Sequence, residues 1–235
     1  MQPPEDITAP RLNARFGDAP SEAVLAIALD RYEGRIALLS SFGAEAAVLL
    51  HLLSRIDQSV PVLLLDTLFL FPETLNYQHE LTQYLGLQDV RRITPDERTD
   101  PDRSLHAHDS QACCAMRKVA PLHEALKGFN AVITGRKRFQ TNERARMERF
   151  EHDGTHLKVN PLATWSVGDI TAYFKQHNLP RHPLVAKGYP SIGCMPCTSP
   201  VIEGEDSRAG RWRSVDRQEC GIHFDADGKV QGKAG

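Results

Sequence analysis

RIALLSSFGAEAAVLLHLLSRI, residues 35–56, joins two patterns through one turn. Residues 35–43 begin with an apolar run and end in Ser40, Ser41, Phe42 and Gly43, which reads as a buried strand and the loop leaving it. Residues 44–56 carry a strong helical pattern. The same alternation continues outward. VPVLLLDT (60–67) reads as a second buried strand, and FPETLNYQHELTQYLG (71–86) as a helix opened by Pro72 and closed by Gly86. DVRRITP (89–95) and NAVITG (130–135) read as third and fourth strands. Strands alternating with helices predict an α/β fold: a parallel twisted sheet flanked by helices and built from right-handed crossovers.

The flanking segments are less regular. Residues 1–20 are Pro-rich and are expected to form a flexible N-terminal segment. SEAVLAIALDRY (21–32) is a helix former with Ser21 as its N-cap candidate. TPDERTDPDRS (94–104) is a polar loop. The segment bearing Cys113, Cys114, Arg117 and Lys118 reads as helix with Pro121 inside it, so that either the helix kinks there or a second one starts. After residue 136 an Arg-rich loop leads to THLKVNPL (155–162) and to a helix in WSVGDITAYFKQHN (165–178), where Ser166 and Asp169 suit a capping box. The main domain is expected over 21–207 and a mobile tail over 208–235, with disorder from Phe224 onward.

Composition excludes several classes. A hydrophobic fraction of 41% with 25% charged residues is that of an ordinary globular protein. A net charge of −2 gives no global basic surface for nucleic acid. The N-terminus is acidic and lacks an apolar signal core, and the longest apolar run, residues 23–29, is too short to span a bilayer. A cytoplasmic location without membrane association is therefore expected, where cysteines more often bind metal or do redox chemistry than form structural disulfides. A homo-oligomer is left open. Of 28 basic residues, 20 are Arg, and two groups are dense: Arg136, Arg138, Arg144, Arg146 and Arg149, then Arg208, Arg211, Arg213 and Arg217. The planar Arg fork suits phosphate and sulfate oxygens, although a single Arg in a loop is usually only solvated charge.

Ser40–Gly43 stands at a strand-to-helix turn, where free N–H groups and the helix dipole meet anions. Taken alone it reads rather as an ordinary strand–helix turn, and no GxxxxGK[ST] loop is present. Four of the five cysteines form two pairs, Cys113-Cys114 and Cys194-Met195-Pro196-Cys197. Four thiolates can hold a structural zinc or an iron–sulfur cluster, and the adjacent pair favours the bulkier cluster. Cys220 is unpaired, either a surface thiol in a loose tail or a nucleophile whose neighbouring arginines lower its pKa.

SSFGAEAAVLLHLL followed by LLLDTLFLFPETL resembles the adenylyl-sulfate (APS) and phosphoadenylyl-sulfate (PAPS) reductase family, which has the adenine-nucleotide α-hydrolase-like fold. The related ATP-pyrophosphatases carry Ser-Gly-Gly-x-Asp-Ser; this chain lacks the Asp-Ser ending, which points away from ATP cleavage. Leu68 stands where the family's Asp-Thr-Gly-x-x-Phe-Pro-Glu-Thr stretch has Gly. Cys113-Cys114-Ala-Met-Arg-Lys118 with Gly193-Cys194-Met-Pro-Cys197-Thr resembles the cluster signature of APS reductases. The resemblance implies a 4Fe–4S cluster on Cys113, Cys114, Cys194 and Cys197. Because enteric-type PAPS reductases lack these four residues, it implies APS as substrate. TGRKRFQTNERARM (134–147) resembles the segment after the family's fourth strand, with Arg138, Gln140 and Arg144 as substrate-facing residues. RAGRWRSVDRQECGIH (208–223) resembles its C-terminal motif.

On that resemblance, adenosine is expected near Ser40, Ser41, Phe42, Gly43, Asp66 and Thr67. The phosphosulfate is expected among Lys118, Arg138, Arg144, Arg208 and Arg211; His223, beside the motif's Cys220, is either a hydrogen-bond donor or acid/base at the substrate or an ordinary exposed His. Cys220 attacks sulfur, AMP leaves, and a separate thioredoxin releases sulfite. Two alternatives stay beside this expectation: a PAPS reductase of relaxed specificity, and a zinc-stabilised nucleotide-binding module without catalysis.

Overall fold

The computed structural model describes residues 8–213. Helix α1 (Ala9–Phe16) and helix α2 (Ser21–Arg31) precede strand β1 (Ile36–Leu39), helix α3 (Ala46–Ser54), strand β2 (Val62–Leu65), helix α4 (Pro72–Leu85) and strand β3 (Val90–Ile93). Short helices α5 (Leu105–His108), α6 (Ser110–Cys114) and α7 (Ala120–Ala125) lead to strand β4 (Ala131–Thr134). A β5 (Phe150–His152) and β6 (Leu157–Val159) pair follows, and then helix α8 (Val167–Gln176).

Among the described residues the strands form one sheet in the order β3-β2-β1-β4-β6-β5. All neighbours run parallel except β5, which pairs antiparallel with β6. The α/β expectation and the four predicted strands hold. The sheet is wound outward in both directions from β1: Leu38 sits opposite Val62 on one side and Ile133 on the other. Strands covered on both faces read as continuous apolar runs, and β2 and β4 are buried throughout. Successive side chains still separate by face. Leu38, Val62, Leu64 and Ile133 join the main core with Leu50, Leu53, Tyr77 and Leu81 of α3 and α4. Ala37, Leu63, Leu65 and Val132 join a second core with Leu122 and Leu126 around α7.

Four local features differ from the sequence reading. Residues 9–16 are helical rather than loose: α1 buries Leu12, and Asn13 both donates to the Phe150 carbonyl (2.7 Å) and accepts from its N–H (3.0 Å). Ser21 does not cap α2. It is the first helical residue after Pro20, and its Oγ donates to the Pro161 carbonyl at 2.6 Å while accepting from Trp165 Nε1 at 2.8 Å. The β5–β6 hairpin carries no strand signal strong enough to stand out beside the Arg-rich loop. At Pro121 the second of the two expected outcomes is seen, a new helix, but it is joined to the first by a widened turn rather than set off by a loop. The turn over Ala115–Val119 widens to a π-helix, in which Ala120 N–H bonds to the Ala115 carbonyl, and α7 begins with Pro121 in its first turn. That widening accommodates a residue without an N–H and with a ring that crowds the preceding turn. The predicted capping box of α8 is present: Ser166 Oγ accepts from Asp169 N–H at 3.1 Å, and Asp169 accepts from Ser166 N–H at 2.8 Å.

Candidate active site

Winding outward from β1 leaves a crevice at the carboxyl ends of β1 and β4, the position where open α/β sheets bind ligands. A cleft of about 380 Å³ opens there. Ser40, Ser41 and Gly43 after β1, Thr67 after β2, and Arg136 and Lys137 after β4 line it, together with Lys118, Gln140, Arg144, Arg208 and Arg211. The loop after β1 is held open by Phe42, which has a φ of 47° and donates its N–H to Ser40 Oγ at 3.1 Å. The Phe42 ring is fully buried in the main core, so it anchors the loop rather than facing the cleft.

Two other sequence candidates also sit behind the cleft wall. Asp66 is buried, accepts from Leu68 N–H at 3.0 Å and pairs with Arg92. Leu68 adopts a φ of 63°, a left-handed conformation that Gly would adopt without cost. Arg138 turns away, donating through Nε to the Met147 carbonyl at 2.8 Å. Its neighbours Arg136 and Lys137, both buried, take the lining positions. Arg136 donates to Glu151 at 2.7 Å and Lys137 to Glu45 at 2.7 Å. Burial pushes the Lys137 ammonium below its ordinary pKa, and Glu45 opposes that shift. Sequence reading missed Glu45, Lys137 and Ile192; the one available signal was that Arg136, Lys137 and Arg138 are consecutive, so all three cannot face one way.

The far wall comes from the end of the described chain. Arg211 donates to the Ile192 carbonyl at 3.2 Å and lies 4.4 Å from the centre of the Trp212 ring. Gly193 makes room for it, because a Cβ there would collide with the guanidinium. Trp212 is buried and its N–H bonds to the Cys197 carbonyl at 3.1 Å. Residues 208–213, expected as the start of a mobile tail, are thus packed on the domain. Cys220, Arg217 and His223 lie outside the described residues.

Next to the cleft is a smaller cavity lined by all four paired cysteines, Cys113, Cys114, Cys194 and Cys197. Thr67, Lys118 and Cys194 border both spaces, forming a common wall. Cys113 and Cys114 end α6 and enter the π-helical turn; Cys194 and Cys197 bracket the turn Met195–Cys197. The two halves are fastened to β2's loop. Cys194 bridges Leu70, Met195 N–H bonds to the Phe69 carbonyl at 2.8 Å, and Thr67 Oγ1 lies 3.1 Å from Cys194 Sγ. From the other side the buried Arg117 donates to the Thr67 carbonyl at 3.1 Å and to Asp100 at 2.6 Å, with its guanidinium 4.5 Å from the centre of the Phe69 ring. Arg117 in turn holds the Asp100 carboxyl below its usual pKa.

None of the four cysteines is in a disulfide. Burial first, then the neighbouring Cys114 and the more remote Cys194 and Cys197, push the Cys113 thiol up to about 11. Thiolates so placed repel one another, and a bound cation is what reverses that balance. Among the described residues no group of three or more Cys, His, Asp or Glu is arranged around a single metal-ion position. A polynuclear cluster sets its cysteine sulfurs further apart than one ion does, and an all-cysteine donor set suits it.

Comparison with known proteins places these features. Residues 35–200 match the model of the phosphoadenosine phosphosulfate reductase domain. The chain is 46% identical over 225 residues to an adenosine 5'-phosphosulfate reductase of Chelativorans sp. (strain BNC1), covering 93% of this chain and 92% of that one. It is also 46% identical to an adenosine 5'-phosphosulfate reductase of Mesorhizobium japonicum, covering 91% of this chain and 86% of the other. In fold it resembles the crystal structure of the phosphoadenylyl-sulfate reductase of Candida auris in a phosphate complex, with a TM-score of 0.73 at 24% identity over 86% of this chain and 99% of that one.

Proposed function

The chain belongs to the phosphoadenosine phosphosulfate reductase family, oxidoreductases acting on a sulfur group, and from that premise we propose that it reduces adenylyl sulfate to sulfite and AMP in assimilatory sulfate reduction. The observation that carries the reading is the common wall of Thr67, Lys118 and Cys194 between a cationic cleft and a four-cysteine cavity. The non-catalytic zinc module, weighed at the sequence level, is set aside by family membership.

The cleft's own residues supply the recognition. Ser40, Ser41 and Gly43 offer a polar turn for the nucleotide, and Lys118, Arg144, Arg208 and Arg211 neutralise the phosphosulfate. Arg138, Asp66 and Phe42, carried over from the family, act behind that surface as supports. Cys113, Cys114, Cys194 and Cys197 hold a 4Fe–4S cluster in this reading; when bound it supplies a cross-link between the two cysteine segments and a local charge beside Lys118.

The chemistry runs through Cys220. Its thiolate attacks the sulfur of adenylyl sulfate, an S–S bond forms, the S–O bond to phosphate breaks, and AMP leaves with the electron pair. A thioredoxin dithiol then attacks Cys220 Sγ. Sulfite leaves with the bonding pair, and the second thioredoxin thiol resolves the mixed disulfide, returning Cys220 as a thiol. The dithiol supplies both electrons that take sulfur from the sulfate to the sulfite level, so no electron needs to pass through the cysteine site. Anaerobically purified protein should contain about four irons and about four acid-labile sulfides per chain and form sulfite from adenylyl sulfate and reduced thioredoxin. Zinc without sulfide, or no sulfite, would refute the assignment.

A further inference from the structure

Two of the cleft's arginines share one platform. Arg208 and Arg211 both line the cleft, and the turn between them is closed by the Arg211 N–H, which bonds to the Arg208 carbonyl at 2.8 Å. The turn sets two cations near each other, where they repel. Trp212 offsets that repulsion. The Arg211 guanidinium lies 4.4 Å from the centre of its ring and the Arg208 guanidinium 5.8 Å. Both distances are within reach of a cation–π attraction, which is strongest over Trp.

The ring is itself fixed. Trp212 is buried, and its φ of 51° is left-handed, a region that disfavours any residue with a Cβ. Such a backbone persists only where its surroundings over-determine it. Here they do: the Trp212 N–H bonds to the Cys197 carbonyl at 3.1 Å, Arg211 bridges Thr198, and the Ser199 N–H bonds to the Gly210 carbonyl at 2.8 Å. A Cβ on Gly210 would lie 2.1 Å from the Ser199 carbonyl oxygen, so the two segments touch backbone to backbone. On the far side Arg213 pairs with Glu205 at 2.7 Å. The indole is thus a rigid surface, and the two long arginine side chains are what it orders. An Arg loses much rotamer freedom when it is fixed, and a fork ordered in advance binds an anion more tightly than one ordered on binding.

We propose that Trp212 is a positioning residue: its indole holds the guanidinium groups of Arg208 and Arg211 in the cleft wall, where they meet the anionic arm of the nucleotide. The proposal rests on the adenylyl-sulfate reading above and names the residue that readies its anion subsite. Calorimetry on anaerobically purified full-length protein compares AMP with adenosine, which lacks the anionic arm. Trp212→Leu should lower the AMP-to-adenosine affinity ratio about tenfold. Trp212→Phe, which keeps a weaker ring face, should lower it by less. With Arg208→Gln and Arg211→Gln already in place, Trp212→Leu should leave the ratio unchanged, because no arginine remains for the ring to orient. A purely structural Trp212 would weaken adenosine and AMP alike. An unchanged ratio in Trp212→Leu, or an equal further fall in the double-Gln background, overturns the proposal. Should Trp212→Leu fail to fold, Trp212→Phe decides: a lowered ratio supports the proposal and an unchanged one overturns it. Should wild-type protein fail to reduce adenylyl sulfate, the proposed function falls, while the affinity ratio still decides the role of Trp212.

Discussion

Leu68 and His182 are each held in an unusual state by their surroundings. Leu68 pays about 1–2 kcal/mol for a left-handed backbone that Gly adopts freely. Leu68→Gly should recover part of this, a gain below about 1 kcal/mol in urea unfolding once the added chain entropy of Gly is subtracted. His182 is buried, accepts from Leu184 N–H at 3.1 Å through Nδ1 and lies 3.0 Å from Thr74 Oγ1 through Nε2. Burial lowers its pKa to about 4, with Glu73 opposing the shift. Between that value and the unfolded value of about 6.5, the unfolded chain binds more protons than the folded one. Its contribution is therefore full above about pH 6.5 and is lost as pH falls toward 4, by roughly 3 kcal/mol in all. His182→Asn keeps an acceptor for Leu184 N–H and should flatten that fall in stability; an unchanged slope would show that His182 titrates normally. The first effect was signalled in the sequence by Leu68 standing where the resembling family has Gly, whereas the second was hidden, because a buried neutral His depends on tertiary contacts.

Elements were legible where their signals are local. The strands from Ile36, Val62, Val90 and Ala131 and the helices α2, α3, α4 and α8 follow apolar periodicity and end signals, as with Gly86, whose φ of 66° closes α4. The α8 capping box was readable from Ser166 and Asp169 alone, and Ser166→Ala should cost about 1 kcal/mol by denaturant titration. What escaped was non-local. The β5–β6 hairpin is fixed by pairing beside β4, and α1 by packing on β5. The π-helical turn between Cys114 and Ala120 arises from the conflict between Pro121 and a continuous helix; it follows directly on the cysteine pair that lines the smaller cavity and carries Lys118 to the common wall.

At the scale of the whole molecule, one topological fact organises the site: the sheet winds both ways from β1, and the cleft opens at that switch point. Most cleft residues named from the sequence line it. Arg138, Asp66 and Phe42 do not, because which of several adjacent side chains turns inward is decided by partners such as Met147, Arg92 and the main core. Cys220 and His223 lie beyond the described chain, and the residues leading toward them, Arg211 and Trp212, are packed between the cleft and Cys197. Cys220→Ser should abolish turnover while AMP binding, read by calorimetry, and iron content stay at wild-type levels. The central claim is the covalent step. Protein incubated with adenylyl sulfate without reductant and read by intact mass and peptide mapping should carry a single sulfonate on Cys220. A protein that releases no AMP and gains no sulfonate, or gains it on another cysteine, would contradict the account.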